Sequence, residues 1–138
     1  MTYLLGTNVV SESRRRRAAD PAVISWFESV PEDQLYLSVL TVGEVSRGIA
    51  RLQRRDPQQA EVLRQWLYEL RDSYSDRIVP VIAEVADEWG RLCVPDPLPV
   101  VDGLLAATAK VFGWTLVTRN ASDVSVAGVS VFNPFGTW

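Results

Sequence analysis

The stretch Leu35-Tyr36-Leu37-Ser38-Val39-Leu40-Thr41-Val42-Gly43-Glu44-Val45 changes its apolar period part-way along. Leu35 to Ser38 reads as a short strand, whereas Val42, Val45, Ile49 and Leu52 recur at helical spacing, so a strand passes almost directly into a helix opening at Thr41. The same alternation continues on both sides. Further strands are predicted at 3–5, 78–81, 115–118 and 129–132. Between them lie helical faces made by Val23, Ile24, Phe27 and Val30, by Val62, Leu63, Trp66, Leu67 and Leu70, by Val85, Ala86, Trp89 and Leu92, and by residues 101–112. Asp20-Pro21 supplies the first of these with a cap and a first-turn proline. Strands alternating with helices imply a mainly parallel sheet covered on its faces, an α/β sandwich with about five short strands. Pro95, Pro97 and Pro99 mark an exposed loop.

Composition narrows the chemistry. The 138 residues are 47% apolar and 22% charged, with a formal net charge of −3, one cysteine and no histidine. Without an imidazole there is no Ser-His-Asp or Cys-His unit and no His-ligated metal. Cys93 alone forms no intrachain disulfide, which points to a reducing compartment. The start Met1-Thr2-Tyr3-Leu4-Leu5 lacks the pattern of a signal peptide, and no run approaches the ~20 apolar residues of a membrane span. One cytoplasmic domain over 1–138 is expected. All of the 14 basic side chains except Lys110 are arginine, and four of them are consecutive at 14–17.

Ligands of an open parallel sheet bind beyond the carboxyl ends of its strands, so the polar residues just past those ends matter most. These are Gly6-Thr7-Asn8, then Ser38 and Glu44, then Thr118-Arg119-Asn120-Ala121-Ser122-Asp123, together with Asp102 at the start of a helix. Each acid also has a structural reading. Thr41-x-x-Glu44 is a capping-box pattern, Asp102 suits a cap or first turn, and Asp123 suits an Asx turn. At about 100° per residue, however, Glu44 lies off the Val42/Val45/Ile49 face and Asp102 opposite the Leu104/Leu105/Val111 face. Arg47, Arg51 and Arg55 follow Glu44 along its helix, either as a solvated flank with a Glu44/Arg47 ion pair or as a phosphate track, which Arg14 to Arg17 would extend unless they are simply a charge run in a loop. Trp26, Trp66 and Trp89 sit at helical spacing and are expected in the core, whereas Trp138 suits an interface groove.

Carboxylates gathered without His or Cys are hard oxygen donors, suited to Mg²⁺ or Mn²⁺, and such a cation activates water and neutralises a phosphoryl group. With arginine to hold a nucleic-acid backbone, that is nuclease chemistry. The ordered segments Tyr3-Leu4-Leu5-Gly6-Thr7-Asn8-Val9-Val10-Ser11-Glu12, Leu35 to Glu44, Val101-Asp102-Gly103-Leu104-Leu105, Leu116 to Asp123 and Val131-Phe132-Asn133-Pro134 resemble PIN-domain ribonucleases, specifically VapC-type toxins of the FitB-like branch. The resemblance implies a PIN-like α/β/α sandwich, a Mg²⁺- or Mn²⁺-dependent endoribonuclease and a homodimer. It also implies neutralisation by a cognate VapB-type antitoxin whose tail occupies the acidic site, with operator DNA bound only through that antitoxin.

Carried over by position, the resemblance makes Glu44, Asp102 and Asp123 catalytic, with Glu44 and Asp102 as metal ligands, and has Thr7 and Asn120 line the site. Arg47, Arg51 and Arg119 are the candidates for RNA contacts. Position 6 departs from the pattern, since the family has a metal-binding aspartate where this chain has Gly6. That glycine stands either for an exchange that silences a toxic nuclease or for a natural loss leaving a non-catalytic binding homologue, and in both cases cleavage by this chain is expected to be impaired. A receiver-like signalling domain is the third class with clustered acids and a lone lysine, but Lys110 falls inside a helix rather than after a strand.

Overall fold

The computed structural model describes residues 1–124 and 128–136. In chain order the elements are β1 Tyr3–Leu5, α1 Thr7–Ser13, α2 Pro21–Ser29, β2 Leu35–Ser38, α3 Val39–Gln53, α4 Pro57–Ser73, β3 Ile78–Val79, α5 Ala83–Leu92, α6 Val100–Phe112, β4 Thr115–Val117 and β5 Ser130–Phe132. Single 3₁₀ turns precede α2 and β2. The five strands form one sheet in the order β3-β2-β1-β4-β5, with every neighbouring pair parallel. This is the expected α/β/α sandwich.

Side-chain alternation along the strands separates the two layers. Leu4 and Leu116 point to one side and pack with Leu105, Ala106 and Ala109 of α6. Leu5, Leu35, Leu37 and Val117 point to the other and pack with Val9 and Val10 of α1, covered by Trp26 and Phe27 of α2. Helices α3 and α4 form a hairpin around Val45, Ile49, Ala60 and Leu67, joined to the second layer through Trp66 and Leu70. Trp26 and Trp66 thus cover the core as expected, with Trp26 edge-on to Tyr3 at 5.2 Å. Trp138 lies outside the described residues.

Several boundaries differ from the sequence reading for identifiable reasons. β3 stops at Val79 because Pro80 has no N–H to continue the ladder. Helix α3 opens two residues before Thr41, since the Ser38 hydroxyl accepts the Leu40 N–H at 3.0 Å and takes the cap. Helix α1 was not anticipated, because its seven residues are too few to show a period. Val62 was placed on the inner face of α4 but is 60% exposed; Ala60 is buried there instead. At α2 the expected cap forms, with Asp20 Oδ1 accepting the Ala22 N–H at 2.9 Å. Among the described residues no helix is long and apolar enough to cross a membrane.

Candidate active site

All five strands run the same way, so the residues following β1, β2 and β4 come out at one edge of the sheet. Helix α6 runs back toward the start of β4 and brings its first turn, with Asp102, to that same edge. Three of the predicted acids therefore meet. Burial raises the pKa of Asp102 above the usual carboxylate value, and the negative charges of Glu44 and then Asp123 raise it further. All three causes act in the same direction, as expected where negative charges gather.

The capping-box reading of Glu44 fails, and Asp102 is not the cap of its helix, although it does stand in the first turn. Ser38 rather than Thr41 caps α3, which leaves Glu44 at the sixth position of the helix with no capping duty. Its Oε1 instead accepts a hydrogen bond from the Thr7 hydroxyl, tying α1 to α3 across the end of the sheet. The cap position of α6 is Pro99, and no side chain caps that helix, so Asp102 does not serve its N–H groups. The next residue explains how Asp102 is placed. A Cβ on Gly103 would stand 3.1 Å from the Trp89 ring and 3.2 Å from Leu98, so only glycine lets α6 seat this deeply against α5. Asp123 is exposed on a turn closed by its own N–H to the Asn120 carbonyl at 3.0 Å. Asn120 is held in turn by its N–H to the Thr118 hydroxyl at 3.1 Å.

Gly6 lies between β1 and α1, with φ −71° and ψ 160°, a backbone that any residue adopts. Its N–H donates to the Val117 carbonyl at 2.7 Å. A Cβ there would lie 3.0 Å from that carbonyl oxygen and 3.3 Å from the Thr118 Cβ, so a side chain requires the strand ends to part by a few tenths of an ångström. Glycine is thus not demanded by conformation. As the chain stands, no group of three or more Asp, Glu, Cys or His side chains among the described residues is placed to hold a metal ion. The donors are of the right chemical kind for Mg²⁺, but the cage is not closed.

The arginines divide differently from the sequence expectation. A groove between α1, α3 and α4 runs away from Thr7 and Glu44, and the cations lining it are Arg14 and Arg55. Arg47 and Arg51 are exposed on α3 and lie outside the lining of that groove, and no Glu44/Arg47 ion pair forms among the described residues. Arg119, two residues past β4, sits over the Phe135 ring. Lys110 is neutralised by Glu88 at 2.8 Å, away from any strand end, as its place in a helix suggested.

The PIN domain family matches residues 3–127. The chain belongs to that family, in its FitB/VapC toxin branch. It is 32% identical to toxin FitB of Neisseria gonorrhoeae, over 96% of this chain and 97% of that protein. It is 29% identical to VapC ribonuclease Y4jK of Sinorhizobium fredii, over 96% of both. Among solved structures, that of FitAB bound to an IR36 DNA fragment superposes with a TM-score of 0.86 at 30% identity, covering 99% of this chain and 98% of that one. In this PIN-domain chain Glu44, Asp102 and Asp123 are close enough for their charges to interact at one sheet edge, and position 6 is glycine.

Proposed function

We propose that this chain is a VapC-like toxin of the ribonuclease type, that RNA phosphodiesters are presented to Glu44, Asp102 and Asp123, and that Gly6 leaves the centre short of one carboxylate. The convergence of the three acids, felt as the raised pKa of Asp102, carries this reading. An Mg²⁺ or Mn²⁺ ion in a completed set would activate water and neutralise the phosphodiester. With glycine at position 6 no catalytic step is assigned to it. What the chain's own residues do is orient: Thr7 fixes the Glu44 carboxylate, Asn120 closes the turn that carries Asp123, and Arg14 and Arg55 give a polyanion a way in along the groove. A cognate VapB-type antitoxin, homodimerisation and operator DNA contacted through the antitoxin complete the reading. The DNA-bound structure of FitAB supports the assembly, and a cytoplasmic location follows from an RNA target.

The second reading is a PIN homologue that binds its antitoxin and nucleic acid without cutting; Gly6 is the observation in its favour. Gly6→Asp separates the two. The restored chain, freed of antitoxin, is expected to cut RNA only when Mg²⁺ or Mn²⁺ is present. Its melting temperature should rise with added Mg²⁺, whereas that of the unmodified chain should not. RNA bound but uncut, together with no Mg²⁺-dependent stabilisation, would establish the binding-module reading.

A further inference from the structure

Beyond β5, the segment 133–136 is tied down by two backbone N–H groups. Asn133 Oδ1 accepts the Phe135 N–H at 2.9 Å, and the Gly136 N–H donates to Asp20 Oδ2 at 3.0 Å. The Phe135 ring packs onto the layer built from Leu5, Val9, Val10 and Val117. Arg119 rests on this ring with its guanidinium carbon 3.9 Å from the centroid. Its own N–H donates to Asn8 Oδ1 at 3.3 Å, so its backbone and its side-chain tip are both held.

Arg15, Arg64, Arg77 and Arg91 each pair with a carboxylate, but no carboxylate lies within ion-pair distance of Arg119 among the described residues. The backbone of Arg119 places it beside the acids: its N–H is bound by Asn8, which follows the Thr7 that holds Glu44, and the next residue, Asn120, closes the turn that carries Asp123. A guanidinium held over a ring and paired with no carboxylate keeps N–H donors for a ligand, and their spacing matches two oxygens of a phosphodiester. An RNA strand reaching a centre of three carboxylates needs cations on both flanks. Arg14 and Arg55 serve the groove side, and Arg119 serves the β4 side.

We propose that Arg119, laid on Phe135, anchors the phosphodiester next to the one presented to the acids, and that the segment 133–136 is the device that sets its position. This rests on the ribonuclease reading above. Its test needs binding rather than cleavage, so the chain can be used with Gly6 in place: fluorescence anisotropy of a short labelled single-stranded RNA, titrated with antitoxin-free protein over a series of salt concentrations.

Arg119→Ala is expected to weaken binding about tenfold and to make the salt dependence shallower by about one ion. Arg119→Lys keeps the charge but not the fork, so it should keep the slope and lose part of the affinity. Phe135→Leu keeps the apolar contact but removes the ring, and should weaken binding with the slope intact. Thermal melting controls for folding; if Arg119→Ala fails to fold, Arg119→Lys carries the test. Unchanged affinity and slope in Arg119→Ala, with the parent chain bound, would overturn the anchor alone. A parent chain that binds no RNA even at low salt overturns the ribonuclease reading and the anchor with it. A Gly6→Asp chain that cuts nothing, while RNA binding still depends on Arg119, overturns the nuclease reading and leaves the anchor standing.

Discussion

Two carboxylates bracket helix α6 and are treated in opposite ways by the same fold. At its last turn, Lys110 reaches Glu88 at 2.8 Å while Arg91 reaches the same carboxylate at 3.1 Å. The hydrogen bond from Lys110, ahead of the other causes, holds the Glu88 pKa below its ordinary value. In its first turn, Asp102 has burial and two like charges against it, and its pKa is raised. Glu88 belongs to a satisfied network whose purpose is to join α5 to α6. Asp102 stands part-buried at the sheet edge with two like charges near it, the kind of perturbed carboxylate that gathers at functional sites.

The largest effect expected from this contrast is on catalysis. In the Gly6→Asp background, Asp102→Asn should lower RNA cleavage by about a thousandfold or more, as loss of a group acting directly on the reaction does. Glu88→Gln in the same background should leave cleavage within about twofold. Single-turnover cleavage of a labelled RNA decides the matter. Comparable losses in both variants would mean that the two ends of α6 do not divide into site and scaffold.

A smaller effect concerns how α6 is seated. Gly103→Ala introduces a methyl group 3.1 Å from the Trp89 ring and 3.2 Å from Leu98. Overpacking of this kind is expected to cost about 1–3 kcal/mol, offset in part by the better helix propensity of alanine. Urea denaturation should show a lower midpoint with an unchanged slope. Glycine to alanine at Gly48 is the control: a Cβ there meets nothing within 4 Å, and the substitution should stabilise α3 instead. A neutral Gly103→Ala would show that Asp102 is placed by something other than this close approach.

These distinctions also mark what could be seen in the sequence. The meeting of Glu44, Asp102 and Asp123 was legible because an all-parallel sheet sends every strand's C-terminal end to one edge, so order along the chain was enough to assemble them. Their local surroundings were not. Thr41-x-x-Glu44 fits a capping box, yet Ser38 takes the cap because the strand runs straight into the helix and offers its hydroxyl first. Thr41 is instead buried, on the same stripe of α3 as Val45 and Ile49. The sequence offers Arg47, Arg51 and Arg55 alike as a track, with Arg14 to Arg17 extending it, and cannot say which of them border a groove. Which flank of α3 borders a groove depends on how α4 docks, and the groove is lined by Arg55, from the turn between α3 and α4, and by Arg14, just past α1. Helix α1 left no period to detect, and the support of Arg119 by Phe135 joins residues far apart in sequence that no spacing rule connects.

The smallest effect, and the most direct comparison, is in the pH dependence of stability. A carboxylate whose folded pKa is raised is bound more firmly in its protonated form, so its contribution is present at low pH and is lost as pH rises through the folded value. Asp102→Asn removes that loss and should raise the melting temperature at pH 7, with the gain shrinking as the pH falls through the carboxylate range. For Glu88 the sign reverses. Its folded pKa is depressed, so its contribution is present above the unfolded value and disappears as pH falls through the folded one. Glu88→Gln should therefore lower the melting temperature at pH 7, and that deficit should shrink on acidification. Melts taken between pH 7 and about pH 3 should show the two variants approaching the parent from opposite sides, since the ordinary carboxylate values lie near 4. Were Asp102→Asn to destabilise at pH 7, the carboxylate would be meeting a partner that offsets Glu44 and Asp123, and the acid centre would already be balanced without a carboxylate at position 6.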